Sequence, residues 1–522
     1  MLARMSRGRR VLVATGSLLL LAACGSIDVS VTAERSENAA GAGPVSTGAP
    51  SSDTAPDPAS SESAVPVVTD NGTPDVVPIP PVSGAIDFGD GKPAKEYDAY
   101  LDAAFADITR FWDDVYEPTY GGPFEPVAGI YAMYPERSDD PQSCQGPITY
   151  ADVEGNAFYT SCGDLIMYDD ALLLPDLVQR YGTAAVAVVA AHEYGHAIQQ
   201  RAGVFDLGLP TIDTEQQADC FAGAWAAHAA RGEGEAIRFD DADVKAGLLA
   251  MIEVRDPPGF DSANDPNGHG SAFDRVGAFQ EGFINGVERC AGFIDDPNPR
   301  IDLQFLTEQE FQTGGNLPLD QILAALPVAL DTFWVPALQN SDVAFTPPTL
   351  QAFDPSGAVP DCDGRSPEQL VNNATFCAES NTIVFDQVFA TRLYEGIGDL
   401  AFSYPIANAY SDAVQHAIGS PLAGEPRVLL SDCLVGAWIV DIVPAYDANG
   451  NPQVDAQGNL LARNPNQQIL LSAGDLDEAV VTAVVLGDEA STTDVLGTAF
   501  EKIDAFREGV LGGLPACQAR LG

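Results

Sequence analysis

Two histidines and a glutamate stand at a spacing that suits metal chemistry. Residues 183–201 have the composition of a buried helix and contain the run His192-Glu193-Tyr194-Gly195-His196. Residues four apart lie on one helical face about one turn apart, so both imidazoles can reach a single zinc ion. Glu193 is placed to act as general base on a metal-bound water. The alternative is an ordinary helix that carries the motif by chance.

A third ligand is expected from a second helix, because catalytic zinc uses three protein ligands and keeps one position open. Glu215 opens a stretch whose apolar residues recur at helical spacing, which predicts a helix packed on the first. The spacing of Glu215 and Asp219 resembles the second helix of gluzincin peptidases. That resemblance implies Glu215 as the third ligand and Asp219 as the carboxylate that orients a ligand histidine. The alternative is an acidic first turn that suits the helix dipole.

Three motifs together resemble the bacterial predicted neutral zinc metallopeptidase family. They are His192-Glu-Tyr-Gly-His-Ala-Ile-Gln199, Gln217-Ala-Asp-Cys-Phe-Ala-Gly-Ala-Trp225 and His269-Gly-Ser-x-x-x-Arg275. The resemblance spans about residues 95–297 and implies a zinc-dependent peptidase.

Two residues downstream of the third ligand are candidates for catalytic roles. In peptidases of this class a downstream histidine often stabilises the oxyanion, which makes His269 the candidate and Arg275 its helper or an orienting residue. The alternative for His269 is a loop residue that caps the helix starting near Ser271.

Upstream, residues 156–160 and 165–168 predict a hairpin. Its edge would pair with an extended peptide, or the hairpin would serve stability alone.

Four sequence blocks recur in the same order, which predicts an internal duplication. Residues 270–282 recur as residues 497–509, and residues 219–225 recur as residues 432–438. The alignment replaces His192, Glu193 and His196 by Asn408, Ala409 and Asp412. Glu215, His269 and Arg275 fall on Val428, Leu496 and Lys502. We therefore expect a zinc-free, degenerate second copy.

The cysteines indicate an exported protein. Residues 1–23 read as a signal peptide that ends in a lipobox-like run before Cys24, the expected lipidation site. The alternative is an ordinary cleavage site with an incidental cysteine. The eight other cysteines form an even number that favours disulfides in an exported chain. The duplication makes one pairing economical: Cys144–Cys162, Cys220–Cys290, Cys362–Cys377 and Cys433–Cys517.

The expected organisation is a signal peptide (1–23), a disordered Ser/Pro/Ala-rich stalk (24–92), a zinc metallopeptidase domain (93–297) and a degenerate repeat (298–522). We expect an α+β fold, mainly helical, with two zincin-like lobes in tandem. No segment after the signal is apolar enough by sequence to span a bilayer. We therefore expect the mature chain to be held at the membrane by the lipid anchor alone, with its folded part outside the cytoplasm.

The net charge and the motifs together are compatible with two functions. The net charge is 25 − 75 = −50, which argues against nucleic acid and anionic lipid surfaces as partners. The first function is a zinc endopeptidase that cleaves peptides or proteins at the cell envelope. The second is a non-catalytic envelope lipoprotein that binds peptide or wall polymer, with a structural or vestigial metal site. The sequence does not indicate an oligomeric state.

Overall fold

Helices carry most of the structure. The computed structural model describes residues 86–265, 268–301, 303–447, 452–487 and 497–521, all within the compact unit Ser60–Gly522. This part is mixed α and β and mainly helical, with 13 α-helices and small sheets. The predicted signal peptide, Cys24, most of the predicted stalk and Leu496 lie outside the described residues.

The elements of the first half are, in chain order, β1 Ile86–Asp87, α1 Asp98–Tyr120, β2 Gly129–Met133, β3 Gln142–Ser143, β4 Gly146–Pro147, β5 Ala157–Thr160, β6 Leu165–Asp169, α2 Leu173–Tyr181, α3 Thr183–Arg201, α4 Thr211–Ala230, α5 Asp241–Glu253 and α6 Ala272–Ala291. Those of the second half are α7 Glu308–Thr313, α8 Leu319–Gln339, β7 Thr349–Phe353, β8 Ala374–Cys377, β9 Thr382–Asp386, α9 Gln387–Gly396, α10 Asp399–Ala417, α11 Glu425–Ile442, α12 Asp475–Leu486 and α13 Ala499–Ala519.

The predicted hairpin is confirmed and lies at the end of a four-stranded sheet. The strand order is β1-β2-β6-β5, so β5 is an edge strand among the described residues. β5 runs antiparallel to β6, with Ala157 opposite Tyr168 and Thr160 opposite Leu165, while β2 runs parallel to β6. The second half repeats this arrangement: β7 is parallel to β9, and β8 is antiparallel to β9.

The folded part begins earlier than the sequence predicted. Ile86 and Asp87 form β1, parallel to β2, and Ile86 is buried. The Lys92 ammonium lies 2.6 Å from an Asp98 oxygen and 3.1 Å from an Asp170 oxygen. Residues 86–92 therefore belong to the fold and not to the stalk. A strand of two residues has no periodicity that a sequence reading can detect.

Each half contains a helix pair that packs backbone against backbone. A Cβ atom on Gly223 of α4 would lie 1.9 Å from the Phe279 carbonyl oxygen of α6, and one on Gly282 would lie 1.8 Å from that of Cys220. Gly436 of α11 and Gly509 of α13 have the same relationship to their partner helices, at 2.1 and 1.9 Å. Glycine is required here because any side chain would separate the helices.

All four predicted disulfides are present. Cys220–Cys290 and Cys433–Cys517 join the close helix pairs α4/α6 and α11/α13. Cys144–Cys162 joins the turn between β3 and β4 to the turn between β5 and β6, and Cys362–Cys377 joins the segment after β7 to the last residue of β8. Each constrains the unfolded chain, typically by about 2–4 kcal/mol of stability.

One described helix contradicts the expectation that no later segment could span a bilayer. By length and composition α8 is long and apolar enough to do so. One face of α8 is buried in the protein core, through residues Ile322, Leu326, Leu330, Trp334 and Leu338. Asp331 on the same helix accepts a hydrogen bond of 2.7 Å from the Tyr410 hydroxyl. These contacts are those of a core helix.

Candidate metal centre

Two helices bring the predicted ligands together. The helix α3 has the predicted bounds, and its alanine- and valine-rich first turns are buried. Gly195, between the two histidines, allows α4 to approach, because a Cβ there would lie 3.1 Å from Ala218 Cα. His192 and His196 project from one face of α3 toward Glu215 on α4. The local helix periodicity and this close contact position all three side chains.

The three donor groups have the spacing that a zinc ion requires. His192 Nε2 lies 3.2 Å from His196 Nε2 and 3.3 Å from Glu215 Oε2, and His196 Nε2 lies 3.4 Å from Glu215 Oε1. Zinc bonds of about 2.0–2.1 Å at tetrahedral angles separate donor atoms by roughly 3.3–3.4 Å. Glu215 Oε2 is buried without a hydrogen-bond partner. The donor set fits a zinc ion bound by three protein ligands.

A buried ion-pair chain lies behind His192. Its Nδ1 atom is 2.7 Å from Asp219 Oδ1. Arg275 donates two hydrogen bonds to the Asp219 carboxylate, at 2.8 and 3.0 Å, and a third of 2.7 Å to the Val254 carbonyl. Arg275 is 1% exposed. The predicted catalytic role of Arg275 is thus corrected: its guanidinium positions Asp219, and no described contact joins it to His269.

His196 is oriented by a second chain of contacts that sequence reasoning missed. Its Nδ1 atom lies 2.9 Å from the Gln199 side-chain oxygen. The Gln199 amide donates to the Thr214 carbonyl at 2.6 Å and to Gln217 at 3.1 Å, and Gln217 donates to the Cys290 carbonyl. Gln199 and Gln217 lie within the two motifs that contain or follow the ligands. Their nearness to the ligands in sequence was the signal that could have identified them as orienting residues.

The candidate base faces the edge strand. Glu193 is 7% exposed, and one of its carboxylate oxygens accepts a hydrogen bond of 2.9 Å from the Tyr159 backbone N–H on β5. Since this N–H donates to Glu193 and not to β6, it points outward from the sheet. The edge of the sheet therefore lies beside the predicted reaction centre. The sequence predicted the strand but not this contact.

The charges of the site favour a bound cation. Burial raises the pKa of Glu193. Burial alone would lower the pKa of His192, but the Asp219 and Glu215 carboxylates outweigh it and raise that pKa to about 10. The two histidines in turn outweigh burial and hold the pKa of Glu215 well below its usual range. Three carboxylates around two imidazoles form an anionic cage that stabilises positive charge at its centre.

His269 lies on the loop before α6, and its side chain is 47% exposed. Its backbone N–H donates to Asp256 at 2.7 Å, and its ring Nδ1 lies 3.5 Å from the same carboxylate. No described contact joins its ring to the three ligands. The alternative capping role is wrong, because the Ser271 side chain caps α6 by accepting from the Asp274 N–H.

The corresponding place in the second half is filled by its own side chains. Asn408 donates to Asp432 at 2.7 Å, and the Lys502 ammonium lies 2.7 Å from the same carboxylate. Asp412 pairs with Arg427 at 3.0 Å. Asn408 and Asp412, which the sequence alignment places at the positions of the two ligand histidines, thus bond to neighbouring side chains of the second half.

Comparison with known proteins gives distant relatives. The protein YpfJ of Escherichia coli, which is uncharacterized, is 28% identical over 163 residues, covering 28% of this chain and 53% of its own length. The uncharacterized protein Rv2575 of Mycobacterium tuberculosis is 26% identical over 162 residues, covering 28% of this chain and 52% of its own. The chain spans about half the length of the curated relatives it matches. No protein-family model matches it, and no solved structure is significantly similar.

Proposed function

We propose that this protein is a zinc-dependent peptidase of the cell envelope. The observation that carries the proposal is the set of three donor groups on α3 and α4, whose facing atoms lie 3.2 to 3.4 Å apart. The sequence resemblance to the bacterial predicted neutral zinc metallopeptidases supports the same class. Zinc, when bound, supplies a Lewis acid that lowers the pKa of water in its open position.

Glu193 is the proton carrier in this proposal. It follows directly after one ligand and precedes the other, and it is nearly buried. Its carboxylate takes the proton of the attacking water and delivers it to the leaving amine. Burial raises the pKa of Glu193, which suits a group that must hold a proton transiently. His269 stays the candidate for oxyanion stabilisation, if the loop carrying it turns inward on substrate.

The proposed substrate is an extended peptide paired with β5. The N–H of Tyr159 points outward from the sheet and donates to Glu193, so the outer edge of β5 lies beside the base. A peptide that adds to this edge as a strand would place one of its carbonyls beside the ligands. Backbone pairing is insensitive to side chains, so we expect cleavage of unfolded polypeptide rather than one fixed sequence.

We further propose that the chain is a tandem duplication with a degenerate second lobe. Apart from β1, β3, β4 and α7, the order of helices and strands from α1 onward repeats from α8 onward, and the three-strand arrangement β2-β6-β5 matches β7-β9-β8. Helix α6 bends at Gly286 with φ of 73°, and α13 bends 513 − 286 = 227 residues later at Gly513 with φ of 62°. That offset equals the spacing between the repeated blocks 270–282 and 497–509.

The second lobe is proposed to brace the metal centre. Asp477 on α12 accepts a hydrogen bond of 3.1 Å from the Phe273 N–H at the start of α6, and it lies 3.2 Å from the Arg255 guanidinium. Arg255 follows Val254, whose carbonyl holds Arg275. The contacts thus continue from the second lobe to Asp219. This supports a bracing role for the second lobe over the alternatives, which are to cover the cleft or to bind polymeric substrate.

The envelope location rests on the lipobox-like Cys24 and on the four disulfides, which persist in oxidising compartments. In this proposal the folded part acts outside the cytoplasm, held to the membrane by lipid.

The test combines metal analysis with proteolysis. We expect one zinc per chain and hydrolysis of unfolded casein, with hydrolysis lost in Glu193→Gln and zinc retained. Asp412→Asn, at the position in the second lobe that corresponds to His196, is the matched control and should keep both zinc and activity. Zinc without cleavage of casein or a peptide library would instead support the alternative, a non-catalytic binding lipoprotein.

A further inference from the structure

A second group of metal-compatible side chains lies in the second half of the chain. Asp399 begins α10, Asp475 begins α12, and Glu478 stands one turn further along α12. One oxygen from each lies within 4.8 Å of the others, and none of the three residues is more than 8% exposed. The proposed peptidase does not use these residues.

The group lacks a compensating charge from the protein. Among the residues that the structure describes, no lysine, arginine or histidine forms an ion pair with Asp399, Asp475 or Glu478. Burial raises the pKa of Asp399 to about 6, and burial and mutual repulsion raise the pKa of the other two well above the usual range. Three such carboxylates need either shared protons or a cation.

Two unpartnered polar atoms point to a cation. Asp475 Oδ1 and the Ser472 hydroxyl are buried without a hydrogen-bond partner, and Ser472 is 6% exposed. Buried polar atoms are rarely left unpaired. The Ser472 N–H donates to Asp475 Oδ2 at 2.8 Å, so the free hydroxyl belongs to a residue that already contacts the cluster.

The hydroxyl also faces the segment that binds Asp399. A Cβ atom on Gly315 would lie 3.0 Å from Ser472 Oγ. The next two residues hold Asp399: Asn316 Oδ1 accepts from its N–H at 2.6 Å, and the Leu317 N–H donates to its carboxylate at 2.8 Å. The free hydroxyl and the free carboxylate oxygen thus lie among the same elements as the acidic group.

We propose that Asp399, Asp475, Glu478 and Ser472 bind a calcium ion. Calcium takes six to eight oxygen ligands at about 2.3–2.6 Å in irregular geometry. The four side chains offer oxygen alone, which disfavours zinc, and magnesium demands a more regular octahedron. Backbone N–H groups already orient part of the set, since Leu400 donates to Glu478 Oε2 at 2.9 Å. Asp475 Oδ1 and Ser472 Oγ have no hydrogen-bond partner and are available to an ion.

The ion would join two segments that are distant in sequence, the start of α10 at Asp399 and residues 472–478 at the start of α12. The loop before α8 is attached to them through the hydrogen bonds between Asp399 and residues Asn316 and Leu317. Ligand binding to the folded state alone raises stability with ligand concentration. Calcium should therefore raise the thermal midpoint of the protein, independently of zinc and of peptidase activity.

The experiment uses the full chain after chelation, in buffer of physiological salt to suppress binding to surface carboxylates. Calcium binding is measured by equilibrium dialysis, and thermal midpoints are recorded with calcium or magnesium. We expect calcium, but not magnesium at equal concentration, to raise the midpoint of the wild type. Asp475→Asn should weaken calcium binding at least tenfold, Ser472→Ala should weaken it several-fold, and the exposed control Glu395→Gln should leave it unchanged.

Two results would overturn the proposal. An equal response of wild type and Asp475→Asn to calcium would mean that other surface acids bind the ion. If Asp475→Asn raised the midpoint of the chelated protein and calcium shifted neither protein, shared protons would stabilise the cluster instead. Neither outcome bears on the zinc centre, which the casein assay tests separately.

Discussion

His192 Nδ1 lies 2.7 Å from Asp219 Oδ1, at the opposite side of the imidazole from the nitrogen that faces Glu215 and His196. This contact fixes which nitrogen of His192 carries the proton when the other binds a metal. Arg275 in turn fixes the carboxylate with two hydrogen bonds. The ring orientation is therefore set by a buried pair on α4 and α6.

Asp219→Asn is expected to lower zinc affinity by about 10–100-fold, because the ligand imidazole loses its orienting carboxylate. The measurement is competition with a chromogenic chelator. Glu288→Gln, an exposed substitution on α6, is the control and should bind zinc like the wild type. Unchanged affinity in Asp219→Asn would mean that the carboxylate does not orient the ligand.

Zinc binding is expected to release at least one proton at pH 7.5, since ligand histidines must be neutral. Without metal, the pKa of His192 is about 10, and Glu215 raises the pKa of His196 against the effect of burial. The His192 ring is therefore protonated at pH 7.5, so apparent zinc affinity should rise with pH until this ring is neutral. Calorimetry in buffers of different ionisation enthalpy counts the protons, and equal heats in all buffers would refute the expectation.

Asp477→Ala is expected to lower zinc affinity several-fold and to reduce the free energy of unfolding by about 1–3 kcal/mol, because the buried Phe273 N–H loses its acceptor. Chelator competition and urea unfolding measure the two effects. The exposed substitution Asp320→Asn on α8 is the control. If stability fell while zinc affinity stayed constant, the second lobe would support the fold without bracing the metal centre.

Asp274 predicts a pH-dependent stability. Burial raises the pKa of Asp274 to about 6, and its Oδ1 has no hydrogen-bond partner. Because the folded-state pKa of Asp274 lies above the unfolded pKa of about 3.9, the protonated carboxyl stabilises the fold. This stabilisation is complete below the unfolded pKa and is lost as pH rises through about 6. Asp274→Asn should therefore stabilise the protein by on the order of 2 kcal/mol at pH 7.5 and by little at pH 4. Urea unfolding at both pH values checks this, and an equal effect at both would contradict it.

Several features followed from local sequence. The spacing of His192 and His196 predicted a shared helix face, and the apolar stripe after Glu215 predicted the helix opposite it. The hairpin and all four disulfides were also predicted, the latter from the repeat of the cysteine pattern. These features depend on residues a few positions apart or on a repeated pattern, which a linear sequence displays directly.

Other features arose only through packing between distant segments. Arg275 was expected near substrate but binds Asp219, because α6 packs against α4 with no room for side chains at Gly223 and Gly282. The contact of Tyr159 with Glu193 joins a strand edge to a helix, and the acidic group of Asp399, Asp475 and Glu478 joins two helix ends. Such partners have no fixed spacing along the chain, so their pairing is decided by tertiary structure.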